Sequence, residues 1–261
     1  MMKFKLPIIG SCLLLSIALS ACNNTQSKQL AELETTPDEN PADLYIKLGV
    51  QYIQLENYDI ALKYLKKALT KDPNSSDAHD TLGVLYEQLE RPAQARTHFQ
   101  RAVTLRPGSA RAQNNFGRFL CAQGEIESAQ QHFRLAYENP LYPNKIVAIT
   151  NAGSCALNDN DLETAEQLLR QALIINPNFS PALREMAALS SKQGKHHSAR
   201  AFLQRFQATK ALPSAELLWL GVQTELALGD QRSAQRYKQA LFEQFPKSEQ
   251  AVLARQALSG F

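Results

Sequence analysis

From residue 42 onward, apolar residues recur three and four positions apart, a pattern that predicts amphipathic α-helices joined by short links. Small residues return along the same stretch at steps of 34 to 36 residues. One such ladder consists of Gly49, Gly83, Gly117, Gly153, Ala187 and Gly221. A second consists of Ala61, Ala95, Ala129, Ala165, Ala199 and Ala234. The spacing predicts six consecutive copies of one helix–turn–helix unit.

Each unit places a small residue, an aromatic residue, two alanines and a proline in a similar order. In the second unit these are Leu82-Gly83, Tyr86, Ala95, Phe99, Ala102 and Pro107. This order and period resemble the tetratricopeptide repeat (TPR), a pair of helices A and B. The resemblance implies an all-α, right-handed superhelical solenoid of six TPR repeats with a C-terminal capping helix. The repeats cover about 42–75, 76–109, 110–145, 146–179, 180–213 and 214–248, and the cap covers 249–261.

Small residues have two steric roles in this prediction. Glycine in helix A and alanine in helix B let the two backbones approach closely, while aromatic side chains fill the space between layers. Residues that tolerate a positive φ are expected at or near the A–B turns. These residues are Asn57, Gly124, Asn160, Gly194 and Gly229.

The first residues have the organisation of an export signal. Two lysines precede an apolar run over 6–19, which is too short to span a bilayer as a helix. The run ends in Leu19-Ser20-Ala21-Cys22, which resembles the bacterial lipobox. The resemblance implies removal of 1–21 and acylation of Cys22, which would form a stable anchor. The alternative is a plain signal peptide that contains a cysteine, or an uncleaved anchor.

The residue after the lipobox indicates which of the two bacterial membranes would hold the protein. Residue 23 is Asn and not the Asp that commonly retains Gram-negative lipoproteins in the inner membrane. The resemblance therefore implies a protein anchored in the outer membrane of a Gram-negative bacterium and facing the periplasm. Residues 22–41 are mostly polar and are expected to form a flexible tether that reaches roughly 25 Å on average.

Composition and charge narrow the classes of function. The 261 residues include 28 Lys and Arg against 25 Asp and Glu, a net charge of +3 with no basic cluster, so no nucleic-acid partner is expected. The common phosphate-binding, nucleophile, zinc-protease and dinucleotide motifs do not occur in the sequence. We therefore expect no enzyme activity, cofactor, metal or small-molecule substrate. His98 and His132 occupy equivalent points of consecutive B helices and are expected at the surface.

Two cysteines lie near the same point of helix A in the third and fourth repeats, Cys121 and Cys155. Because neighbouring A helices pack side by side and the periplasm is oxidising, a disulfide across this junction is predicted. The alternative is a pair of buried thiols that pack as small apolar residues. A disulfide requires the two Cα atoms to lie within about 7 Å.

In TPR arrays the A helices line a concave groove, and a recurring set of helix A positions usually faces it. Here the candidate partner-binding residues are Ile46, Val50, Ile53, Asp80, Val84, Arg111, Asn114, Asn115, Arg118, Thr150, Asn151, Asn158 and Arg184. Ile46 and Val50 stand where the dicarboxylate clamp of chaperone-binding arrays has Lys and Asn, which argues against capture of an acidic C-terminal peptide. An apolar end and a mixed middle instead favour an amphipathic or extended segment of a protein partner.

Repeats 3 and 4 contain three strings that go beyond the general TPR pattern. They are Asn114-Asn115-Phe116-Gly117-Arg118-Phe119-Leu120-Cys121, Pro140-Leu141-Tyr142 and Asn151-Ala152-Gly153-Ser154-Cys155. With the lipobox and the six repeats, they resemble the type IV pilus biogenesis lipoproteins of the PilF/PilW kind, although Phe116 replaces the usual Tyr. The resemblance implies a pilotin, which binds the secretin subunit of the type IV pilus and promotes its targeting to, and multimerisation in, the outer membrane.

The asparagines of these strings have two interpretations. We expect at least one of Asn114, Asn115 and Asn151 to contact the partner, and ordinary helix polarity is the alternative. A second function also stays open, namely a lipoprotein adaptor for another cell-envelope complex, such as a peptidoglycan hydrolase or the outer-membrane protein assembly system.

Overall fold

The computed structural model describes residues 41–256, and all regular structure within that range is α-helical. Thirteen helices in this part of the chain form six A–B pairs and one final helix. The A helices are α1 (Pro41–Gln54), α3 (Ser76–Gln88), α5 (Ala110–Ala122), α7 (Lys145–Asn158), α9 (Ser180–Lys192) and α11 (Ala215–Ala227). The B helices are α2 (Tyr58–Lys71), α4 (Pro92–Leu105), α6 (Ile126–Tyr137), α8 (Leu162–Ile175), α10 (His196–Ala208) and α12 (Gln231–Gln244), and the final helix is α13 (Glu249–Gln256).

The predicted all-α TPR solenoid is confirmed. Each helix pair falls within one expected repeat, with offsets of one residue where α1 begins at Pro41 and α7 begins at Lys145. The expected signal peptide, Cys22 and the tether up to residue 40 lie outside the described residues. So do residues 257–261 of the expected cap.

Glycine in helix A is required by the packing of that helix on its own helix B. A Cβ atom added at Gly83 would lie 2.6 Å from the ring of Phe99, and one at Gly117 would lie 2.9 Å from the ring of Phe133. Both rings are fully buried. The aromatic side chain therefore occupies the space that the glycine leaves free, as the repeat pattern predicts.

The A–B turns contain a residue in the left-handed backbone region. Among the expected residues, Gly124, Gly194, Gly229 and Asn160 have φ between 66° and 79°. In the first two repeats this conformation falls on Glu56 and Glu90, with φ of 56° and 55°. Asn57 lies in its A–B turn as expected, but the positive φ falls on the preceding Glu56, and Asn57 has φ of −92° and directly precedes α2.

The contacts between helices of neighbouring repeats show which helices form the inner side of the stack. Each A helix packs on its own B helix and on the A helix of the next repeat, while each B helix also contacts the A helix that follows it. Since neighbouring elements are closest on the inner side of a curved stack, the A helices form the inner face. No helix in the range 41–256 is long and apolar enough to cross a membrane.

Candidate functional site

Side chains of neighbouring A helices, joined also by Arg106 from the end of the second repeat, are linked along the inner face, and we call this set of contacts the polar ladder. At its first position, Nη2 of Arg111 lies 2.5 Å from Oδ1 of Asp77, and Nη1 of Arg106 lies 3.1 Å from Oδ2. Burial acts to raise the pKa of Asp77, but the two guanidinium groups outweigh it and hold the pKa below its ordinary value. The Asp77 carboxylate is therefore charged and already paired.

The second position of the ladder is a buried carboxylate, Asp80, which is 1% exposed. Nδ2 of Asn115 donates to both carboxylate oxygens at 3.1 Å, and Nη2 of Arg111 lies 3.5 Å from Oδ2. Burial raises the pKa of Asp80, against the opposing effects of Arg111 and Asn115. Asp80 therefore positions its two neighbours, and its buried carboxylate is not accessible to a ligand.

The third position is a bidentate ion pair. Nη1 and Nη2 of Arg118 donate to Oε1 and Oε2 of Glu87 at 3.1 and 2.7 Å. The ladder as a whole then contains three carboxylates and three guanidinium groups. These belong to Asp77, Asp80, Glu87, Arg106, Arg111 and Arg118. This part of the inner face is therefore close to electrically neutral.

Two further contacts join the A helices of repeats 3 and 4. Nδ2 of Asn151 donates to Oδ1 of Asn114 at 2.9 Å. A disulfide joins Cys121 to Cys155 in the structure, with the Cα atoms 5.9 Å apart. Cys155 is buried in the core. The junction between α5 and α7 thus has one covalent bond and one side-chain hydrogen bond.

The first two repeats supply an apolar surface beside the ladder. Val50 and Ile53 in α1 and Val84 in α3 are half-buried and lie against the core. Val50 and Val84 are equivalent positions on neighbouring A helices. Because part of each side chain remains accessible, these residues offer an apolar contact area on the inner face.

Four of the predicted partner-binding residues are not on the accessible surface. Ile46, Asp80, Asn114 and Thr150 are 8%, 1%, 6% and 4% exposed, respectively. Ile46 packs into the core, and Oγ1 of Thr150 donates to the backbone of its own helix at 2.8 Å. The close packing of the A helices covers these four side chains, so they do not present the accessible surface that direct contact with a partner needs.

The other nine predicted residues keep accessible surface. Seven of them lie in the ladder, at the α5–α7 junction or in the apolar area, namely Val50, Ile53, Val84, Arg111, Asn115, Arg118 and Asn151. Asn158 is exposed at the end of α7. Arg184 is exposed in α9 and donates to its neighbour Glu185 at 3.0 and 2.8 Å. The structure therefore concentrates the candidate site in repeats 1 to 4.

The histidines are placed differently from the expectation. Nδ1 of His98 lies 2.9 Å from Nδ1 of His79, and the His98 ring stacks on Tyr86 with centroids 5.3 Å apart. Burial, followed by the nearby His79, lowers the pKa of His98 to about 4. Nδ1 of His132 lies 2.5 Å from Oε1 of Gln113. Both His98 and His132 are half-buried in the helix packing, so the expected surface position is wrong.

The ladder was not predicted as a set, although its signal is present in the spacing. Asp77 and Arg111 are 34 residues apart, and Asp80 and Asn115 are 35 apart. The signal is a pair of complementary polar residues about one repeat apart on successive A helices. The same spacing predicted that the two cysteines lie together. Among the described residues, no group of three or more His, Cys, Asp or Glu is arranged to hold a metal ion.

A solenoid of six helix pairs that repeat every 34 to 36 residues is a tetratricopeptide-repeat fold. Residues 46–110 and 81–145 match the family model described as "Tetratricopeptide repeat". The fold and the repeat model define the class of the protein.

The relatives define the family. The chain is 30% identical over 235 residues to the type IV pilus assembly protein PilF of Pseudomonas aeruginosa, which covers 90% of this chain and 92% of that protein. It is similar to the crystal structure of PilW, described as a widely conserved type IV pilus biogenesis factor, with a TM-score of 0.76, 27% identity and coverage of 83% and 99% of the two chains. The solved structure of P. aeruginosa PilF gives a TM-score of 0.72, 29% identity and coverage of 83% and 97%. The chain belongs to the PilF family of type IV pilus biogenesis TPR proteins.

Proposed function

We propose that this chain is a lipid-anchored pilotin that binds a secretin subunit of the type IV pilus through the inner face of its A helices. Binding would promote targeting of the subunit to the outer membrane and its multimerisation there. The observation that carries the proposal is the relationship to PilF, which extends over nine-tenths of both chains. Acylation of Cys22 and a periplasmic position belong to the same proposal and are supported by the lipobox resemblance.

The geometry of the inner face favours a polypeptide segment as its ligand. Val50, Ile53 and Val84 provide an area for apolar side chains, and the ladder beside them provides paired charges and amides. Because the ladder is close to neutral, it would not attract a polyanion such as a nucleic acid. In this proposal the chain acts by binding a protein partner. It carries out no catalysis and uses neither a cofactor nor a small-molecule substrate.

The Cys121–Cys155 bond is part of the proposed mature form. It would fix α5 relative to α7 beside the contact between Asn114 and Asn151. A covalent link at this point would keep the inner faces of repeats 3 and 4 in one arrangement, so that less ordering remains to be done when the partner binds.

Binding is tested by isothermal titration calorimetry of the purified mature chain with the purified secretin subunit. Arg118→Ala and Val84→Ser alter the ladder and the apolar area. Arg134→Ala is the matched control, because Arg134 is exposed on helix B of the same repeat as Arg118. We expect the first two variants to weaken binding by about tenfold and the control to bind like the parent. Equal affinities of all four proteins, each with unchanged helicity, would contradict the assignment of the inner face.

The second candidate function is distinguished by affinity purification from outer-membrane extracts. Recovery of the secretin supports the pilotin function. Recovery of a peptidoglycan hydrolase or an outer-membrane assembly component, without the secretin, supports the adaptor function instead.

A further inference from the structure

The solenoid has two edges, which are defined by the links between its helices. The A–B edge consists of the links inside the repeats, 55–57, 89–91, 123–125, 159–161, 193–195 and 228–230. The B–A edge consists of the links between repeats, 72–75, 106–109, 138–144, 176–179, 209–214 and 245–248. The start of α1 at Pro41 lies on the B–A edge, because every A helix begins there.

Charge is distributed unequally between the two edges. The A–B links contain six acidic and two basic residues, namely Glu56, Glu90, Glu125, Asp159, Asp161, Asp230, Arg91 and Lys195. The B–A links contain two acidic and three basic residues, namely Asp72, Glu138, Arg106, Lys210 and Lys247, of which Arg106 is paired with Asp77. An anionic surface would therefore repel the A–B edge and tolerate the B–A edge.

The most exposed large apolar side chains are also distributed unequally between the two edges, and they lie on the B–A edge. Leu212, Leu141 and Ile174 are 91%, 88% and 81% exposed, the highest values among the large apolar residues described. All three lie in or next to the B–A links, at three successive repeat junctions. On the A–B edge, the corresponding side chain with the greatest exposure in the described range is Leu55, at 54%.

The link that carries Leu141 is built so that this side chain points away from the solenoid. Nδ2 of Asn139 donates to the carbonyl oxygen of Gly108 at 3.1 Å, and Oδ1 of Asn139 accepts a hydrogen bond of 2.9 Å from the Leu141 N–H. On the other side, the ring of Tyr142 packs against buried alanines of α5, α6 and α7. Because Asn139 and Tyr142 are both held in place, the side chain of Leu141 between them remains exposed to solvent.

The junction between repeats 5 and 6 holds Leu212 outward in a similar way. Oγ1 of Thr209 accepts a hydrogen bond of 3.3 Å from the Ala211 N–H, and Ala211 packs against the apolar cluster of α9 to α11. Leu212 is thereby turned outward. Ile174 lies in the last turn of α8 and lines the same surface depression as Arg205, whose Nη2 donates to the carbonyl oxygen of Pro177 at 2.6 Å.

We propose that the B–A edge of repeats 3 to 6 rests on an anionic lipid bilayer, with Leu141, Ile174 and Leu212 in the interfacial region. Lys145 and Lys210 lie close in sequence to Leu141 and Leu212, and Arg205 lines the same depression as Ile174, a combination in which apolar burial and attraction to anionic headgroups add. Separate side chains on successive links suit a lipid surface, whereas a protein interface needs a contiguous apolar centre.

The position of the chain entry agrees with this orientation. The residues before Pro41 join the solenoid on the B–A edge, so an anchor at Cys22 would draw that edge toward the membrane. The inference rests on the proposed function only in using the lipid anchor to place the protein at a membrane in the cell. The contact with the bilayer is made by side chains of the B–A edge and does not depend on the anchor.

The contact is tested with the chain from residue 23, which lacks Cys22, attached by an N-terminal hexahistidine tag to vesicles of phosphatidylethanolamine and phosphatidylglycerol that contain a nickel-chelating lipid. The tag replaces the acyl chains, so the result does not depend on lipidation of Cys22. The environment-sensitive fluorophore NBD is placed at one position at a time, in Leu141→Cys, Ile174→Cys and Leu212→Cys. Asp159→Cys on the A–B edge is the matched control for the affinity of the fluorophore itself, and the unsubstituted chain is the labelling blank.

We expect a blue shift of the emission, and quenching by doxyl-labelled lipid, at positions 141, 174 and 212 and not at 159. In the background Leu141→Glu with Leu212→Glu, quenching at 174 should be lost. Equal quenching at all four positions, or none at the first three, would overturn the proposal. A blue shift that requires the secretin subunit and not the lipid would also overturn it, by assigning the edge to a protein partner.

Discussion

Nδ2 of Asn151 donates a hydrogen bond of 2.9 Å to Oδ1 of Asn114 and thereby joins the A helices of the third and fourth repeats. Both residues belong to the strings that resemble the pilus biogenesis lipoproteins, and Asn114 is 6% exposed. Asn115 and Arg118 of the same string bind Asp80 and Glu87 of the preceding repeat. The string therefore aligns repeats 2 to 4, and its effect on the inner face follows from that alignment.

Removing this hydrogen bond should destabilise the solenoid. In Asn151→Ala, Oδ1 of the buried Asn114 loses its donor, and we expect the free energy of unfolding to fall by about 1–2 kcal/mol. Urea unfolding followed by circular dichroism measures the change. Asn158→Ala, at an exposed position near the end of the same helix, is the control and should have little effect. Equal stability of the two variants would mean that the bond contributes nothing to the fold.

The glycines of helix A should tolerate no side chain where an aromatic ring lies against them. We expect Gly83→Ala to lower the free energy of unfolding by about 1–3 kcal/mol, because the new Cβ would overlap the ring of Phe99. Gly108→Ala is the control, since nothing lies within 4 Å of a Cβ at that position. Thermal unfolding compares the two, and Phe99→Leu in the Gly83→Ala background should recover part of the loss. A Gly83→Ala protein as stable as the Gly108→Ala protein would disagree with the packing described.

Acid should destabilise the second repeat through His98. Burial and the neighbouring His79 lower the pKa of His98 from 6.5 to about 4, so between these values the unfolded chain binds more protons than the folded chain. The free energy of unfolding therefore falls as the pH drops through this window, by about 1–2 kcal/mol when partial solvent exposure is allowed for. His98→Gln should reduce this dependence in urea unfolding at about pH 7 and about pH 4.5. His197→Gln, at an exposed position, should retain it, and an unchanged slope in His98→Gln would refute the assignment.

The Cys121–Cys155 bond should be present in the mature protein and should stabilise it. Alkylation in denaturant without reductant should leave both cysteines unmodified and their two peptides joined to each other in the digest, whereas reaction of both thiols would show that the bond is absent. The bond closes a loop with a sequence separation of 34 residues. Its removal in the double variant Cys121→Ala with Cys155→Ala should therefore cost roughly 3–4 kcal/mol of unfolding free energy on the chain-entropy model.

The repeat period made the fold predictable because it reports contacts that recur within each repeat. Gly83 against Phe99 is one such contact, and the cysteines one repeat apart are another. The left-handed turn residue was predictable where glycine or asparagine occupies it. It was not predictable at Glu56, because glutamate is not favoured in that conformation and gives no signal.

The accessible surface of the inner face was less predictable, because it depends on how each A helix tilts against the next. A position pattern places Asp80 and Arg111 equally in the groove, yet packing buries the first and leaves the second exposed. The period contains no information on that tilt, so Ile46 and Thr150 could not be separated from Val50 by sequence alone.

Assembly of the secretin in cells tests the proposed function most directly. Outer-membrane fractions of a strain that lacks this gene are compared with the parent by unheated gel electrophoresis and detection of the secretin. We predict loss of secretin multimers from the outer membrane, their restoration by the parent chain and by Arg134→Ala, and weak restoration by Arg118→Ala combined with Val84→Ser. Unchanged multimers in the outer membrane of the deletion strain would contradict the pilotin function.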